Sequence, residues 1–226
     1  MAKCTFGASE IPVLGCFVGK DGVRLDPDKV KTITEWPPLQ SVKELRQWLG
    51  MANYLHRFSQ NFAQKAKPLT DLLKKDVPFQ WNEKQQQAFD EIKRSLSSAP
   101  ILALPNSERA FSVVCDASDF AIGSALMQED DQGHDRVIAY ESRQLKAAER
   151  NYPVYEKELL SVKYALEKFR VHLLGQRPFI VYTDHVTVRS VSCEVVNLWV
   201  NLWFRNVVNT IRQQCVPHLC RTLFLL

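Results

Sequence analysis

Three acidic residues, Asp116, Glu158 and Asp184, are placed so that they could share a divalent cation. Asp116 closes the apolar run Phe111–Asp116, and Asp184 closes a second run, Phe179–Asp184. Glu158 lies between the two runs, in a stretch with helical periodicity. Carboxylate oxygens are the ligands that hard divalent cations prefer, and clusters of them hold the ions used in two-metal phosphodiester cleavage. The trio is therefore a candidate catalytic and metal-binding set.

The case for Glu158 depends on the face of its helix. At spacings of three and four residues, Glu158 shares one face with apolar side chains, namely Val154, Val162, Ala165 and Phe169. That face should pack on a sheet and turn the carboxylate inward. The neighbours Glu156 and Lys157 are then expected to be ordinary solvated charges. The alternative is an edge position, at which Glu158 reaches water or a nearby lysine.

Asp116 and Asp184 also allow a plainer interpretation. An aspartate at the end of a strand is common turn chemistry, and residues 116–118 could form an Asx-turn. The functional interpretation therefore rests on the three residues together and on the elements that carry them.

The pattern predicts three successive strands, a long helix ending near Gly175 and one further strand: 111–116, 121–128, 136–142, roughly 152–172, and 179–184. A right-handed crossover allows the first and last of these strands to lie parallel. Asp116 and Asp184 would then end at the same sheet edge, where open α/β sheets bind ligands. We expect an α/β fold with a mixed sheet, made of a three-strand meander, a helix and a parallel strand.

Several motifs resemble the ribonuclease H domain of Ty3/gypsy-type long-terminal-repeat (LTR) retrotransposon polyproteins: Val114–Gln128, Ile138–Leu145, Glu149–Tyr152, Glu156–Leu160 and Tyr182–His185. The resemblance implies a ribonuclease H-like fold, with Asp116, Glu158 and Asp184 matching three of the family's four metal-binding carboxylates. It also implies Mg²⁺, or alternatively Mn²⁺, as cofactor. The implied reaction is endonucleolytic hydrolysis of the RNA strand of an RNA–DNA hybrid.

The first hundred residues resemble the segment that precedes this domain in the same polyproteins. Val13–Val23 is similar to the hairpin that closes the polymerase palm, and Val42–Tyr54 and Phe79–Asn82 are similar to the thumb and connection. The expected organisation has four parts: the end of the palm (1–25), a helical thumb and connection (26–104), a truncated ribonuclease H-like domain (108–190), and a divergent tail (191–226).

Local helix signals agree with a small helical unit before residue 104. Asp26 followed by Pro27 is typical of a helix start, and Ser41 with Glu44 forms a capping box. Asn82 is expected to cap a third helix, which Pro100 stops.

The chain departs from the family pattern in two places. It has no Tyr-x-Asp-Asp motif, which carries the polymerase metal site in reverse transcriptases, so we expect no DNA synthesis by this chain alone. It also has no aspartate after Asp184, where the family continues to a fourth metal-binding aspartate, and its only later acidic residue is Glu194.

The divergent tail suggests sequence read past a frameshift, splice or truncation. The alternative is a lineage-specific helix with its apolar side chains inward, namely Val196, Trp199, Val200 and Trp203. Two functional classes remain: a metal-dependent endonuclease weakened by the missing carboxylate, and a non-catalytic retroelement remnant that at most binds nucleic acid.

Composition sets wider bounds. The 226 residues carry a net charge of +4 and six cysteines without a CxxC pair, which favours free thiols in a reducing compartment. The first hundred residues are mildly basic and residues 101–185 are acidic. This distribution is compatible with a basic part that binds phosphates beside an acidic part that binds metal. The run Val195–Phe204 is too short to span a bilayer. We expect an intracellular protein, cytoplasmic or nuclear. Its expected partner is an RNA–DNA hybrid or another nucleic acid. In an intact element, the palm and the integrase of the polyprotein are expected as further partners.

Overall fold

The computed structural model describes residues 7–75, 77–174, 179–183 and 222–225. Within these ranges the buried apolar side chains form two clusters, one between Leu25 and Leu102 and the other between Phe111 and Val181. No helix in the described part of the chain is long and apolar enough to cross a membrane.

The first element is a three-stranded antiparallel sheet of β1 (Glu10–Val13), β2 (Cys16–Gly19) and β3 (Gly22–Leu25). The β1–β2 connection is the pair Leu14-Gly15, whose φ angles of 49° and 78° are both positive. Two positive φ angles match the twist of the flanking strands in a two-residue hairpin.

Five helices follow, and they are α1 (Pro27–Thr34), α2 (Val42–Tyr54), α3 (Phe62–Lys65), α4 (Lys67–Asp71) and α5 (Glu83–Ser97). The side chain of Asp26 accepts from the Asp28 N–H, as predicted. Ser41 Oγ accepts from the Glu44 N–H, but Glu44 reaches back to the N–H of Gln40 rather than that of Ser41. Asn82 occupies the N-cap of α5 without a side-chain capping bond.

The second half is a mixed sheet with two helices, and its elements are β4 (Ser112–Ala117), β5 (Ala121–Glu129), β6 (Asp135–Gln144), α6 (Val154–Lys168), α7 (Arg170–Leu173), β7 (Ile180–Thr183) and β8 (Thr222–Leu225). The strand order is β6-β5-β4-β7-β8, with β4 and β7 parallel. The predicted α/β fold, with a meander, a helix and a parallel strand, is confirmed.

Two details differ from the predicted elements. The helix predicted over 152–172 ends at Lys168, because Phe169 leaves the helical region with φ −89° and ψ 9° and packs into the core. A short separate helix, α7, follows it. In the tail, residues 222–225 pair antiparallel with β7, whereas the alternative tail helix lies outside the described residues.

Helices cover both faces of this sheet. On one face α6 packs against β4 and β5, with Val162 and Ala165 in the same cluster as Val113 and Cys115. On the other face lies α3, whose Ala63 N–H donates to Ser142 Oγ of β6 at 3.0 Å. The sheet therefore joins α6 to the helical unit of the first half.

A histidine–carboxylate pair extends this junction at the edge strand β6. His56 Nε2 lies 3.4 Å from Glu141 Oε2, and Tyr164 of α6 donates to the same oxygen. The hydrogen bond to Glu141 raises the pKa of His56 above its ordinary 6.5. Burial raises the pKa of Glu141, but the hydrogen bonds from His56 and Tyr164 and the positive charges of His56 and Lys168 together leave that pKa below 4.5.

The direction of these shifts predicts how the pair depends on pH. A raised histidine pKa stabilises the fold below about pH 6.5, and this contribution is lost as pH rises through the folded pKa. We expect His56→Gln to lower the free energy of unfolding most between about pH 5 and 6.5, and progressively less at higher pH. Urea unfolding of both chains from pH 5 to 8.5 measures this, and a constant difference across the range would contradict an ionic contribution.

Two glycines predict opposite responses to the same change. Gly22 has φ 131°, and a Cβ there would overlap the carbonyl oxygen of Leu102, whose backbone pairs with Val23. Gly50 lies inside α2, and a Cβ there would meet no atom within 4 Å. We expect Gly22→Ala to cost about 2 kcal/mol or more and Gly50→Ala to stabilise by about 0.5–1 kcal/mol. Thermal or urea unfolding measures the stability change of each variant. Equal changes would show that the local backbone conformation does not determine the effect of the substitution.

Candidate functional site

Asp116 lies within strand β4 and not in the turn that follows. Its strand partner is Gly123 of β5, and its side chain is exposed. The turn is built by Ser118, whose Oγ accepts from the Ala121 N–H at 3.1 Å and donates to the Ala121 carbonyl. The alternative of an Asx-turn at residues 116–118 is therefore wrong, because the serine makes the turn bonds.

Asp116 lines a shallow concavity between the sheet and α3. Gly123 pairs with Asp116 on one side and with Ser142 of β6 on the other, so the three residues form a row across three strands. Together with Asn61 and Gln64 they border a narrow groove that is open to solvent. The first of these, Asn61, adopts a left-handed backbone conformation with φ 53°.

Asn61 can lie close to strand β5 because Gly123 has no Cβ atom. A Cβ on Gly123 would overlap Asn61 Oδ1. Since opposed residues in antiparallel strands point to the same face, Asp116 faces the side of the sheet on which Asn61 sits. The helical unit therefore contributes side chains directly beside Asp116.

Glu158 faces the sheet, as its helical phase predicts. Its side chain is only 2 % exposed, and its Oε2 accepts from Thr183 Oγ1 at 3.1 Å. Thr183 follows Tyr182, which pairs with Val114 of β4. The carboxylate of Glu158 is therefore held at the end of β7, at the level where β4 reaches Cys115 and Asp116. The alternative of a solvent-reaching edge position is wrong for this residue.

Two other expectations for α6 are wrong. Lys157 was expected to be a solvated charge, but it is buried, and its Nζ lies 3.0 Å from Asp119 Oδ1. Val154 was expected on the buried face, but it is exposed. The buried face of α6 therefore begins one turn later than predicted. It is also wider than the apolar residues indicate, because it includes Lys157, which contacts the turn after β4.

The Cys115 thiol lies next to Asp116 in sequence and on the face of β4 that α6 covers. It is buried on the α6 face of β4, and burial raises its pKa, with further increases from the negative charges of Glu158 and Asp116. The thiol therefore stays protonated at neutral pH, and oxygen atoms remain the anionic donors in this part of the site.

Asp184, the third predicted ligand, lies outside the described residues. Within the ranges that the structure describes, no three His, Cys, Asp or Glu side chains come close enough to hold a metal ion. The structure thus places Asp116 and Glu158 at the same end of the sheet. The described residues do not include the complete set of predicted metal ligands. Sequence reasoning missed Asn61 and Gln64, because contacts across 55 residues of sequence leave no local pattern.

Residues 81–181 match the RNase H-like domain found in reverse transcriptase. Over 196 residues the chain is 42% identical to the retrovirus-related Pol polyprotein from transposon opus of Drosophila melanogaster, covering 82% of this chain and 19% of that protein. It is 38% identical to the corresponding gypsy polyprotein of the same species over 81% of this chain and 18% of that one. The transposon Tf2-3 polyprotein of Schizosaccharomyces pombe is 35% identical, at 81% and 14% coverage. The chain thus spans about a fifth or less of the length of these curated relatives.

Solved structures with the same fold include the foamy viral protease-reverse transcriptase. Its complex with double-stranded DNA has a TM-score of 0.71 at 22% identity, covering 94% of this chain and 46% of that chain. The complex of the foamy viral protein with an RNA/DNA hybrid gives 0.69 at 21% identity, covering 93% and 32%. At this level of identity, the likeness establishes the fold alone.

The hydrogen bond from Thr183 to buried Glu158 predicts a stability effect. Thr183→Val keeps the shape but removes the donor, and the loss of a hydrogen bond to a buried acceptor costs about 1–3 kcal/mol. We expect a loss of that size in urea unfolding without added metal. Thr34→Val is the matched control, because Thr34 bonds only to the backbone of its own helix and is part-exposed; it should change stability by less than about 0.5 kcal/mol. Equal losses for the two variants would show that other donors satisfy Glu158.

Proposed function

Since the chain carries an RNase H-like reverse-transcriptase domain and is related over most of its length to the Pol polyproteins of gypsy-type and Tf2 LTR retrotransposons, we propose that it performs metal-dependent hydrolysis of RNA in RNA–DNA hybrids. Asp116, Glu158 and Asp184 are the proposed catalytic carboxylates. The observation that carries the proposal is the burial of Glu158 against Thr183, beside strand β4, which carries Asp116.

The chemistry of the described donors fits a hard divalent cation. Asp116 and Glu158 offer carboxylate oxygens, and the raised pKa of Cys115 keeps a thiolate ligand out of the set. RNase H-like domains generally use divalent metal ions, and Mg²⁺ or Mn²⁺ prefers such oxygen donors. In the proposed site Asp116, Glu158 and Asp184 hold the metal. When bound, the divalent ions activate the attacking water and stabilise the leaving 3′ oxygen.

The two described carboxylates have different parts in this proposal. Exposed Asp116, at the rim of the concavity, is accessible to a scissile phosphate. Buried Glu158 is held in one orientation by Thr183 and is shielded from bulk water, which strengthens its interaction with a cation. Selectivity for RNA rests on the 2′-hydroxyl and on the shape of the hybrid rather than on base sequence. The nucleic acids bound by the foamy viral neighbours, double-stranded DNA and an RNA/DNA hybrid, agree with this substrate class.

We further propose that the chain as written cleaves hybrids poorly. It has no aspartate after Asp184 to act as a fourth carboxylate. Three carboxylates are sufficient for one divalent ion that keeps several waters, but a second ion needs additional negative charge to offset the repulsion between dications. The alternative function is a retroelement remnant that binds nucleic acid without cleaving it.

The test compares this chain with a repaired chain, in which residues after Ser190 are replaced by the corresponding segment of the gypsy relative. We expect the repaired chain to cleave a labelled RNA–DNA hybrid about 10–100-fold faster with Mg²⁺. Glu158→Gln should abolish cleavage by the repaired chain.

Each outcome separates the two functions. Equal cleavage by the original and repaired chains would show that the fourth carboxylate is dispensable or that Glu194 replaces it. No cleavage by the repaired chain, together with retained hybrid binding in a gel-shift assay, would support the binding remnant. Cleavage that survives Glu158→Gln would contradict the proposed site.

A further inference from the structure

The turn between β4 and β5, residues 118–120, follows Asp116 closely in the chain. It begins two residues after Asp116 and leads directly into β5, the strand that pairs with Asp116. Ser118 closes the turn on itself through its bonds to Ala121. The Leu145 N–H donates to the carbonyl of Phe120 at 2.8 Å and ties the turn to the end of β6.

Lys157 connects the same turn to α6. Its Nζ bonds to Asp119 Oδ1 at 3.0 Å, and the side chain of Lys157 is 8% exposed while that of Asp119 is 79% exposed. A lysine is rarely buried to this extent without a partner, because removing an ammonium group from water is costly. The burial of Lys157 is therefore coupled to the position of Asp119.

The two residues of this ion pair lie close in sequence to the two candidate metal ligands. Lys157 directly precedes Glu158 on α6, and Asp119 lies three residues after Asp116. The ion pair thus joins the backbone segment of one candidate metal ligand to that of the other. On the far side of the turn, Lys67 of α4 lies 4.4 Å from the centre of the Phe120 ring, so the turn is held from both neighbouring helices.

We propose that Lys157 and Asp119 are positioning residues, whose ion pair sets the separation between the Asp116 and Glu158 carboxylates and so the affinity of the site for a divalent ion. This inference rests on the proposed function, because it assumes that those two carboxylates bind the ion. Neither Lys157 nor Asp119 contacts the reacting atoms in this proposal. Their effect is exerted through the turn.

Asp119→Asn is the decisive variant, because it removes the charge of the largely exposed partner of the pair while keeping the size of the side chain. Asp119→Glu keeps the charge and tests rescue by a conservative change. Glu167→Gln is the matched control, since it removes a carboxylate from another lysine pair on the same helix, Lys163–Glu167, which is exposed. Circular dichroism verifies that each variant is folded.

Two measurements on the full chain test the proposal. The first is Mn²⁺ binding by isothermal titration calorimetry without nucleic acid. We expect Asp119→Asn to weaken it about 10-fold, Asp119→Glu to retain most of the affinity, and Glu167→Gln to leave it unchanged. The second is amide hydrogen exchange without metal, in which Asp119→Asn alone should accelerate exchange at residues 118–121.

The outcomes distinguish this inference from the proposed function. Faster exchange in the turn with weaker Mn²⁺ binding supports the positioning role. Unchanged exchange, or faster exchange with unchanged Mn²⁺ affinity, overturns it and leaves the proposed function standing. Equal weakening by Asp119→Asn and Glu167→Gln also overturns it, because the effect would then be one of net charge. If the unaltered chain binds no Mn²⁺, the proposed metal site fails, and the positioning role fails with it.

Discussion

The packing of α6 across β4 and β5 is the constraint on which the rest of the structure depends. Val162 and Ala165 bury this helix against Val113 and Cys115, and each fully buried valine contributes about 1.5–3 kcal/mol. That packing carries Glu158 into the core on the same face. A buried carboxylate is costly, and the hydrogen bond from Thr183 offsets part of that cost. The helix is thus held by apolar contacts while it delivers a charged group to the end of the sheet.

The opposite face of the sheet is occupied by the helical unit, which makes the candidate site a product of both halves of the chain. Gly123 has no side chain, and this absence allows Asn61 to sit against the strand beside Asp116. The bond from Ala63 to Ser142 and the pairing of His56 with Glu141 secure the same junction. Asn61 and Gln64 of this unit border the same groove as Asp116.

Local sequence patterns failed where a residue's environment comes from a distant segment. Lys157 has the sequence context of a solvated charge, yet Asp119, 38 positions earlier, comes to lie over it and makes its burial tolerable. Val154 fits the apolar stripe but extends beyond the sheet that the stripe covers. Asp116 resembles a turn residue, but Ser118 competes for the turn bonds and leaves the aspartate in the strand. In each case a tertiary contact, rather than local propensity, decided the outcome.

The amino-acid sequence by itself determined the order of β4, β5, β6, α6 and β7, the α/β class of the second half, the inward phase of Glu158, and the helix starts at Asp26 and Ser41. These features follow from periodicity and capping, which act over a few residues and can be read directly from the chain. Only the tertiary structure decided that Asn61 and Gln64 border Asp116, that Lys157 is paired with Asp119, and that Thr183 satisfies Glu158. Those contacts join residues from 25 to 55 positions apart, and their geometry arises only when the sheet and its two covering helices pack together.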